Sequence, residues 1–189
     1  MIRKRVALFG GSFNPIHNGH IALAKQIISD KLADEVWLLI SPQNPLKEES
    51  GLMDENIRLD LARKALCNET SIIASDFEFH LPRPSFSWST LNALSQEYPE
   101  NDFVLVIGAD NWLIFNKWAH YEDIILKYPI IIYPRKGCYI ESSKLPKTIH
   151  LMDSPLYPFS STEIRKACET IKKMLPKEIW GDFLNKQCF

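Results

Sequence analysis

Short runs of apolar, often β-branched residues recur along the chain, and polar turn residues separate them. Runs of this length, without strict alternation of polar and apolar positions, are typical of strands that are buried on both faces of a sheet. The predicted strands are Val6–Phe9, Val36–Ile40, Ser71–Ala74, Phe103–Ile107, Ile130–Tyr133 and Thr148–Leu151.

The segments between these strands place apolar residues at helical spacing. The predicted helices are Gly19–Ser29, Asp54–Leu66, Ser89–Tyr98, Tyr121–Leu126, Ser161–Lys173 and Lys177–Asn185. Alternating buried strands and helices favour an α/β fold, with a Rossmann-like, doubly wound parallel sheet that binds ligands at the carboxyl ends of its strands. We expect one domain over residues 1–189, because about 100–200 residues is the usual size of a domain.

The composition is that of a globular protein: 46% of the residues are hydrophobic and the net charge is −1. This charge gives no general attraction for a nucleic acid polymer, so we expect no nucleic acid partner. No apolar segment approaches the roughly 20 residues that span a bilayer, and the first apolar run is too short for a secretory signal. The cysteines, at positions 67, 138, 168 and 188, lack CxxC spacing, which favours reduced thiols. We therefore expect a cytoplasmic protein without a membrane partner; the sequence is compatible with a homo-oligomer.

The most informative segment runs from Gly10 to His20 and joins the first predicted strand to the first predicted helix. Glycines at such a turn let the backbone approach an anion, and the start of a helix offers N–H groups and a positive dipole end. His17 and His20 add side-chain donors at the same place. The segment predicts a phosphate site made of Gly10, Gly11, Ser12, Phe13, His17 and His20.

Two plainer interpretations of this segment stay open. A Gly-Gly pair is common in any tight turn between a strand and a helix. Two histidines at this spacing can also bind a metal ion, but the turn holds no Cys, Asp or Glu that would complete a zinc site. We therefore predict no metal ion held by protein ligands.

A second anion site is predicted at the start of the helix over 161–173. Ser160 or Ser161 is placed to cap this helix, and the Ser161 and Thr162 hydroxyls lie beside its first N–H groups. Arg165 follows Ser161 by about one helical turn and so shares its face. The alternative is an ordinary capped surface helix with an exposed arginine.

Polar residues also follow three other predicted strands. Lys47 lies in the loop over 42–51, Gly108 and Asp110 follow the fourth strand, and Arg135 follows the fifth. Because the carboxyl ends of parallel strands lie at one edge of the sheet, we expect these residues to converge. Asp110 is suited to accept hydrogen bonds from ribose hydroxyls, although it could instead cap a helix, and Lys47 could simply be solvated.

Two of these segments match family motifs. Gly11–His20 fits the pattern G-x-F-x-P-x-H-x-G-H and resembles the signature of the nucleotidylyltransferase superfamily. Phe159–Arg165 resembles the superfamily's C-terminal element I-S-S-T-x-I-R, with phenylalanine in place of the usual isoleucine. The resemblance implies the nucleotidylyltransferase fold and places His17 and His20 on the triphosphate of a nucleotide.

Within the superfamily, three further segments resemble bacterial nicotinate-nucleotide adenylyltransferases: Pro84–Leu91, Ile107–Asp110 and Phe115–Trp118. The resemblance implies that Trp118 stacks on a nicotinate ring. It also implies that Ser87 and the main chain at Ala119, where many relatives carry tyrosine, face the ring carboxylate. We assign Arg135 to the same acceptor site.

The implied reaction is adenylyl transfer from ATP to nicotinate mononucleotide, giving nicotinate adenine dinucleotide and pyrophosphate. The implied catalytic residues are His17, His20, Lys47 and Arg165, and Mg²⁺ is expected to accompany ATP. The implied ATP site comprises Gly10, Gly11, Ser12, Phe13, His20, Gly108, Asp110, Ser160, Ser161, Thr162 and Arg165. The alternatives are a pantetheine-phosphate adenylyltransferase or another small-molecule adenylyltransferase of the superfamily, or a nucleotide-binding module without catalytic activity.

Overall fold

Strands and helices alternate along the chain in the computed structural model, which describes residues 3–42, 52–157, 161–166 and 174–186. The strands are β1 (Lys4–Gly11), β2 (Glu35–Ile40), β3 (Ile72–Ser75), β4 (Asn101–Gly108), β5 (Ile130–Tyr133) and β6 (Ile149–Leu151). The α-helices are α1 (Asn18–Ser29), α2 (Glu55–Ala65), α3 (Ser87–Glu97), α4 (Ala109–Trp112), α5 (Tyr121–Lys127), α6 (Ser161–Lys166) and α7 (Trp180–Lys186). Short 3₁₀ turns cover Phe77–His80, Phe115–Lys117, Ser142–Lys144 and Lys177–Ile179.

The six strands form one parallel sheet in the order β3-β2-β1-β4-β5-β6. Phe9 of β1 lies beside Leu38 of β2 on one side and Val106 of β4 on the other. This is the strand order of a doubly wound sheet, so the predicted fold class is confirmed. The order reverses between β1 and β4, and the crevice above their carboxyl ends is where such folds bind ligands.

The sheet separates two hydrophobic cores. Along β1, Ala7 and Phe9 face one core while Val6 and Leu8 face the other. Helices α1 and α2 cover the first face, and α3 and α5 cover the second. A fully buried Leu or Ile contributes about 1.5–3 kcal/mol, so these layers hold the strand ends in fixed positions.

Each predicted strand and helix coincides with an observed element, with small differences in extent. Helix α3 begins at Ser87, two residues before the predicted start, and Phe86 is its N-cap without a side-chain hydrogen bond. The predicted helix 177–185 starts as a 3₁₀ turn that continues into α7. The structure describes the predicted helix over 161–173 as far as Lys166. Within the described ranges, every helix is too short or too polar to cross a bilayer.

Candidate active site

A cavity of about 200 Å³ opens at the carboxyl edge of the sheet, between β1 and β4. Gly10, Gly11 and Gly108 contribute the strand ends, and Ser87 and Trp118 lie in the part of the wall that α3 and the segment after β4 provide. The cavity therefore occupies the crevice that the strand order predicts.

The β1–α1 turn, residues 12–17, starts at this cavity. A Cβ on Gly10 would meet nothing within 4 Å, whereas a Cβ on Gly11 would lie 3.1 Å from the Phe13 ring. Phe13 is 2% exposed and has a φ of +43°, a left-handed conformation that is uncommon for a residue with a side chain. The turn is thus sharply folded around the buried Phe13 side chain, and the end of β1 just before it remains accessible at Gly10.

The two predicted histidines meet at the start of α1, where His17 is the N-cap and His20 lies in the first turn. Their rings stack with centroids 3.5 Å apart and planes inclined by 20°. The backbone N–H of His17 donates to Nδ1 of the His20 ring at 3.2 Å, so a neutral His20 carries its proton on Nε2. Burial, followed by the positive charge of Arg135, lowers the pKa of His17 to about 4. His17 is therefore a neutral imidazole at pH 7.

The predicted second anion site lies against the same turn. Ser161 Oγ donates to the Pro15 carbonyl at 3.0 Å, and the Arg165 guanidinium donates to the Asn14 carbonyl at 2.5 Å and to Thr162 Oγ1 at 3.3 Å. These bonds join chain segments about 150 residues apart. The structure thus brings the start of α6 to the β1–α1 turn, as the sequence predicts.

The ends of β4 and β5 carry the predicted polar residues side by side. Arg135 Nε lies 3.6 Å from Asp110 Oδ1, and Arg135 donates to the Tyr133 hydroxyl at 2.8 Å. A Cβ on Gly108 would collide with Asp110 Oδ1, so any other residue at this position would displace the Asp110 carboxylate. The N-cap of α4 is Gly108, so the alternative role of Asp110 as a helix cap is wrong.

Three of the residues predicted to face the acceptor line the cavity together: Ser87, Trp118 and Ala119. Ser87 is the first residue of α3, whose N-terminus has no side-chain cap. Trp118 packs on Phe115 with ring centroids 5.1 Å apart, and its indole Nε1 is buried without a hydrogen-bond partner among the described residues. Arg135 lies apart from these three, at the end of β5 beside Asp110. The predicted residues Lys47 and Ser160 lie outside the described residues.

Two buried charged residues near the cavity were missed by the sequence analysis. Arg58 of α2 is completely buried, and its guanidinium donates to four backbone carbonyls. The carboxylate of Glu78 accepts from Ser85 at 3.1 Å and from Thr90 at 3.0 Å, and burial raises its pKa despite these hydrogen bonds. A signal existed only for Arg58, which precedes Ala62 and Ala65 at the spacing of the buried stripe of α2.

Comparison with known proteins gives consistent relatives. A family model described as cytidylyltransferase-like matches residues 8–167. Proteins named probable nicotinate-nucleotide adenylyltransferase are 45% identical in Bacteroides fragilis, over 91% of this chain and 86% of that protein, and 44% identical in Bacteroides thetaiotaomicron, over 94% and 90%. The structure of a Plasmodium falciparum nicotinic acid mononucleotide adenylyltransferase complexed with NaAD is similar, with a TM-score of 0.79 and 25% identity, over 97% of this chain and 95% of that one.

Proposed function

Because the chain belongs to the nicotinate-nucleotide adenylyltransferases, within the cytidylyltransferase-like family, we propose that it transfers the adenylyl group of ATP to nicotinate mononucleotide in this cavity. The products are nicotinate adenine dinucleotide and pyrophosphate, and the reaction is a step of NAD biosynthesis. The observation that supports this most is the contact of the start of α6 with the β1–α1 turn at Asn14–Pro15, next to a cavity that Ser87 and Trp118 line.

Adenylyl transfer needs positioning and charge stabilisation more than it needs a protein nucleophile. The phosphate of the mononucleotide is itself the nucleophile, and it attacks the α-phosphorus of ATP while pyrophosphate leaves on the opposite side. Catalysis then depends on donors aimed at the charge that develops on the phosphate oxygens. His17 and His20 supply such donors, and Arg165 supplies a permanent positive charge for the leaving pyrophosphate. We keep Lys47 in the same role as a prediction from the sequence.

A neutral His17 has a consequence for this mechanism. Its imidazole contributes a dipolar hydrogen bond rather than a full charge at pH 7, because its pKa is about 4. The positive charge near the phosphates then comes from the arginines, including Arg135, whose charge already acts on His17. We propose that Arg135 faces the phosphate of the acceptor and Asp110 the ribose of ATP.

Mg²⁺ is the divalent cation that we expect with ATP. The described residues contain no group of three or more His, Cys, Asp or Glu side chains placed to hold a metal ion. Phosphate oxygens and water are ligands that Mg²⁺ favours, so the triphosphate is a sufficient binding partner. When bound, the ion neutralises charge on the phosphate oxygens; positioning is left to the protein groups named above.

The acceptor is defined by the other wall of the cavity. The indole of Trp118 offers a flat surface for an aromatic ring, and the uncapped N-terminus of α3 at Ser87 offers donors for a carboxylate. A ring that carries a carboxylate satisfies both features, which favours nicotinate mononucleotide over pantetheine phosphate.

The direct test is an assay of purified protein with ATP, Mg²⁺ and a panel of acceptor phosphates, with pyrophosphate release as the readout. The panel holds nicotinate mononucleotide, nicotinamide mononucleotide and pantetheine phosphate. We expect the highest kcat/KM with nicotinate mononucleotide. A preference for pantetheine phosphate would replace the acceptor, and no release with any acceptor would leave a nucleotide-binding module.

A further inference from the structure

The Arg58 side chain is an unusual buried group that contacts the β1–α1 turn. It extends from α2 to the carboxyl edge of the sheet and is completely buried. The charges of Glu55 and Asp54 favour the charged form of Arg58, but neither residue forms an ion pair with it, because Asp54 caps α2 and Glu55 pairs with Arg83. Burying a cation without a carboxylate partner is costly, and burial lowers the pKa of Arg58. An apolar side chain would fill the same place on the buried stripe of α2 at less cost, so packing does not explain an arginine here.

The hydrogen bonds of Arg58 connect three parts of the chain. One terminal nitrogen donates to the Ser12 carbonyl at 2.6 Å and to the Ser41 carbonyl at 2.8 Å, which lie directly after β1 and β2. The second terminal nitrogen donates to the Pro42 carbonyl at 3.3 Å, and Nε donates to the Met53 carbonyl at 2.9 Å. All four acceptors are backbone carbonyls, so Arg58 fixes the direction of peptide groups rather than of side chains.

The direction of these carbonyls determines where the neighbouring N–H groups point. In a trans peptide unit the C=O and the N–H of the following residue point in opposite directions. The Ser12 carbonyl faces Arg58, so the Phe13 N–H faces away from it. The Gly11 carbonyl accepts from the Ser41 N–H at 2.9 Å, so the Ser12 N–H also faces away from β2. Phe13 has a positive φ, and successive N–H groups beside a residue in the left-handed region are a common way to build a concave anion site.

We propose that Arg58 is a positioning residue for ATP, which holds the Ser12 and Ser41 carbonyls and thereby orients the Ser12 and Phe13 N–H groups toward the triphosphate. This inference rests on the proposed function, because that function supplies the triphosphate. The role requires a planar fork with several donors. Lysine offers three donors from a single point and does not reach four carbonyls in different directions.

The test compares Arg58→Lys with Arg63→Lys, the same substitution on the same helix. Arg63 is exposed and pairs with Asp76 at 3.3 Å, away from the turn. We expect Arg58→Lys to weaken binding of a non-hydrolysable ATP analogue and to raise the KM for ATP by about tenfold or more. The KM for nicotinate mononucleotide should stay within about twofold of wild type, and Arg63→Lys should leave both constants unchanged.

A merely structural role would lower the melting temperature and the active fraction without moving the KM for ATP. Calorimetric titration with the ATP analogue and with the mononucleotide, on protein whose folded fraction is measured by circular dichroism, separates the two roles. Arg58→Met is the second variant, because it replaces the buried charge with an unbranched apolar side chain. An ATP affinity like that of wild type in either folded variant overturns the proposal.

The remaining outcomes are also decisive. If neither variant folds even at low temperature, Arg58 is a stability residue and the proposal is wrong. If the wild-type protein releases no pyrophosphate with any acceptor but binds the ATP analogue more tightly than Arg58→Lys does, the proposed reaction fails while the role of Arg58 stands. If the wild-type protein turns over nicotinate mononucleotide but the folded Arg58 variants bind the ATP analogue as tightly as wild type does, the proposed reaction stands and the role of Arg58 alone is overturned.

Discussion

The two walls of the cavity are built in different ways. The phosphate wall consists of the β1–α1 turn and the starts of α1 and α6, and its backbone carbonyls accept from Arg58, Ser161 and Arg165. The acceptor wall consists of residues 85–87, 111 and 117–119, and Phe86 in it is 45% exposed. The phosphate wall thus presents backbone groups that hydrogen bonds from other side chains hold in place, whereas the acceptor wall presents side-chain surfaces. This division suits an enzyme with one nucleotide donor and an acceptor that must be told apart from close analogues.

The walls also differ in the direction in which burial shifts the pKa of their titratable groups. Burial keeps His17 of the phosphate wall neutral by lowering its pKa, and it raises the pKa of Glu78 beside the acceptor wall. Acid therefore destabilises the fold through His17, which must take up a proton in its buried position. Alkali destabilises it through Glu78, which must lose one there. Five predictions, from the largest effect to the smallest, test how far this comparison holds.

His20→Ala should lower kcat by about 10²–10³-fold with little change in ATP affinity, because one donor aimed at the developing charge is lost. The matched control is His150→Ala, an exposed histidine on the edge strand β6. Steady-state kinetics with saturating ATP measures both variants. A His20→Ala rate within about threefold of wild type would remove this residue from the mechanism.

The pH dependence of stability should separate the two walls. Unfolded His17 takes up a proton near pH 6.5, but folded His17 does so only near pH 4. As pH falls through this window the unfolded state gains protons first, so the free energy of unfolding should drop by up to about 3 kcal/mol. His17→Gln removes this dependence, and urea unfolding from pH 4 to 8 measures the difference from wild type.

The same measurement on Glu78→Gln provides the contrast. The Glu78 contribution is fully present below its unfolded pKa of 4.5 and is lost as pH rises through its higher folded pKa. The difference curve for Glu78→Gln should therefore slope in the opposite direction. Parallel curves for the two variants would show that the walls do not differ in this respect.

Arg165→Ala should raise the KM for ATP and slow turnover, and Arg165→Lys should restore only part of the loss. A hydrogen bond to a charged group contributes about 1.5–3 kcal/mol, or roughly a 10–150-fold change in kcat/KM. Lysine keeps the charge but loses the fork that reaches the Asn14 carbonyl and Thr162 together. Full activity of the lysine variant would show that Arg165 acts only through its charge.

Nicotinate mononucleotide should be preferred over its amide analogue by at least about tenfold in kcat/KM. Donors at Ser87 and the start of α3 favour a carboxylate, and an amide would leave some of them unpaired at a cost of about 1–3 kcal/mol. Ser87→Ala should reduce the preference while leaving the KM for ATP unchanged. Equal kcat/KM values in the wild-type protein would overturn the acceptor assignment and leave adenylyl transfer intact.

Much of the architecture could be predicted because its signals are local. Buried runs such as Ile130–Tyr133 have a single suitable place in an α/β protein, and the Gly11–His20 motif marks the turn that faces the ligand. The bonds of Ser161 and Arg165 to the turn agree with the predicted convergence, since strand ends and the starts of the helices that follow them share one edge.

The buried ions could not be predicted from the same signals. A charged residue within a helix is ordinarily solvent-exposed, and the place of Arg58 on the buried stripe of α2 does not indicate that its acceptors are the carbonyls directly after β1 and β2. Glu78 lies in a 3₁₀ turn too short to show any periodicity, and its partners Ser85 and Thr90 come from a later segment. Both depend on contacts between segments that pattern analysis treats separately.

The bonds from α6 to the β1–α1 turn also bear on how the protein is made. Arg165 donates to the carbonyl of a residue 151 positions earlier, so the anion site closes only after the chain has been synthesised beyond residue 165. The parallel sheet, complete by Leu151, can form before that point. A nascent or clipped chain that ends after β6 would thus contain strands β1 to β6 but lack the bonds from α6 to the turn and the core residues Leu175, Ile179 and Phe183. Catalytic activity then reports the presence of α6 and of the segment that follows it, not merely of the sheet.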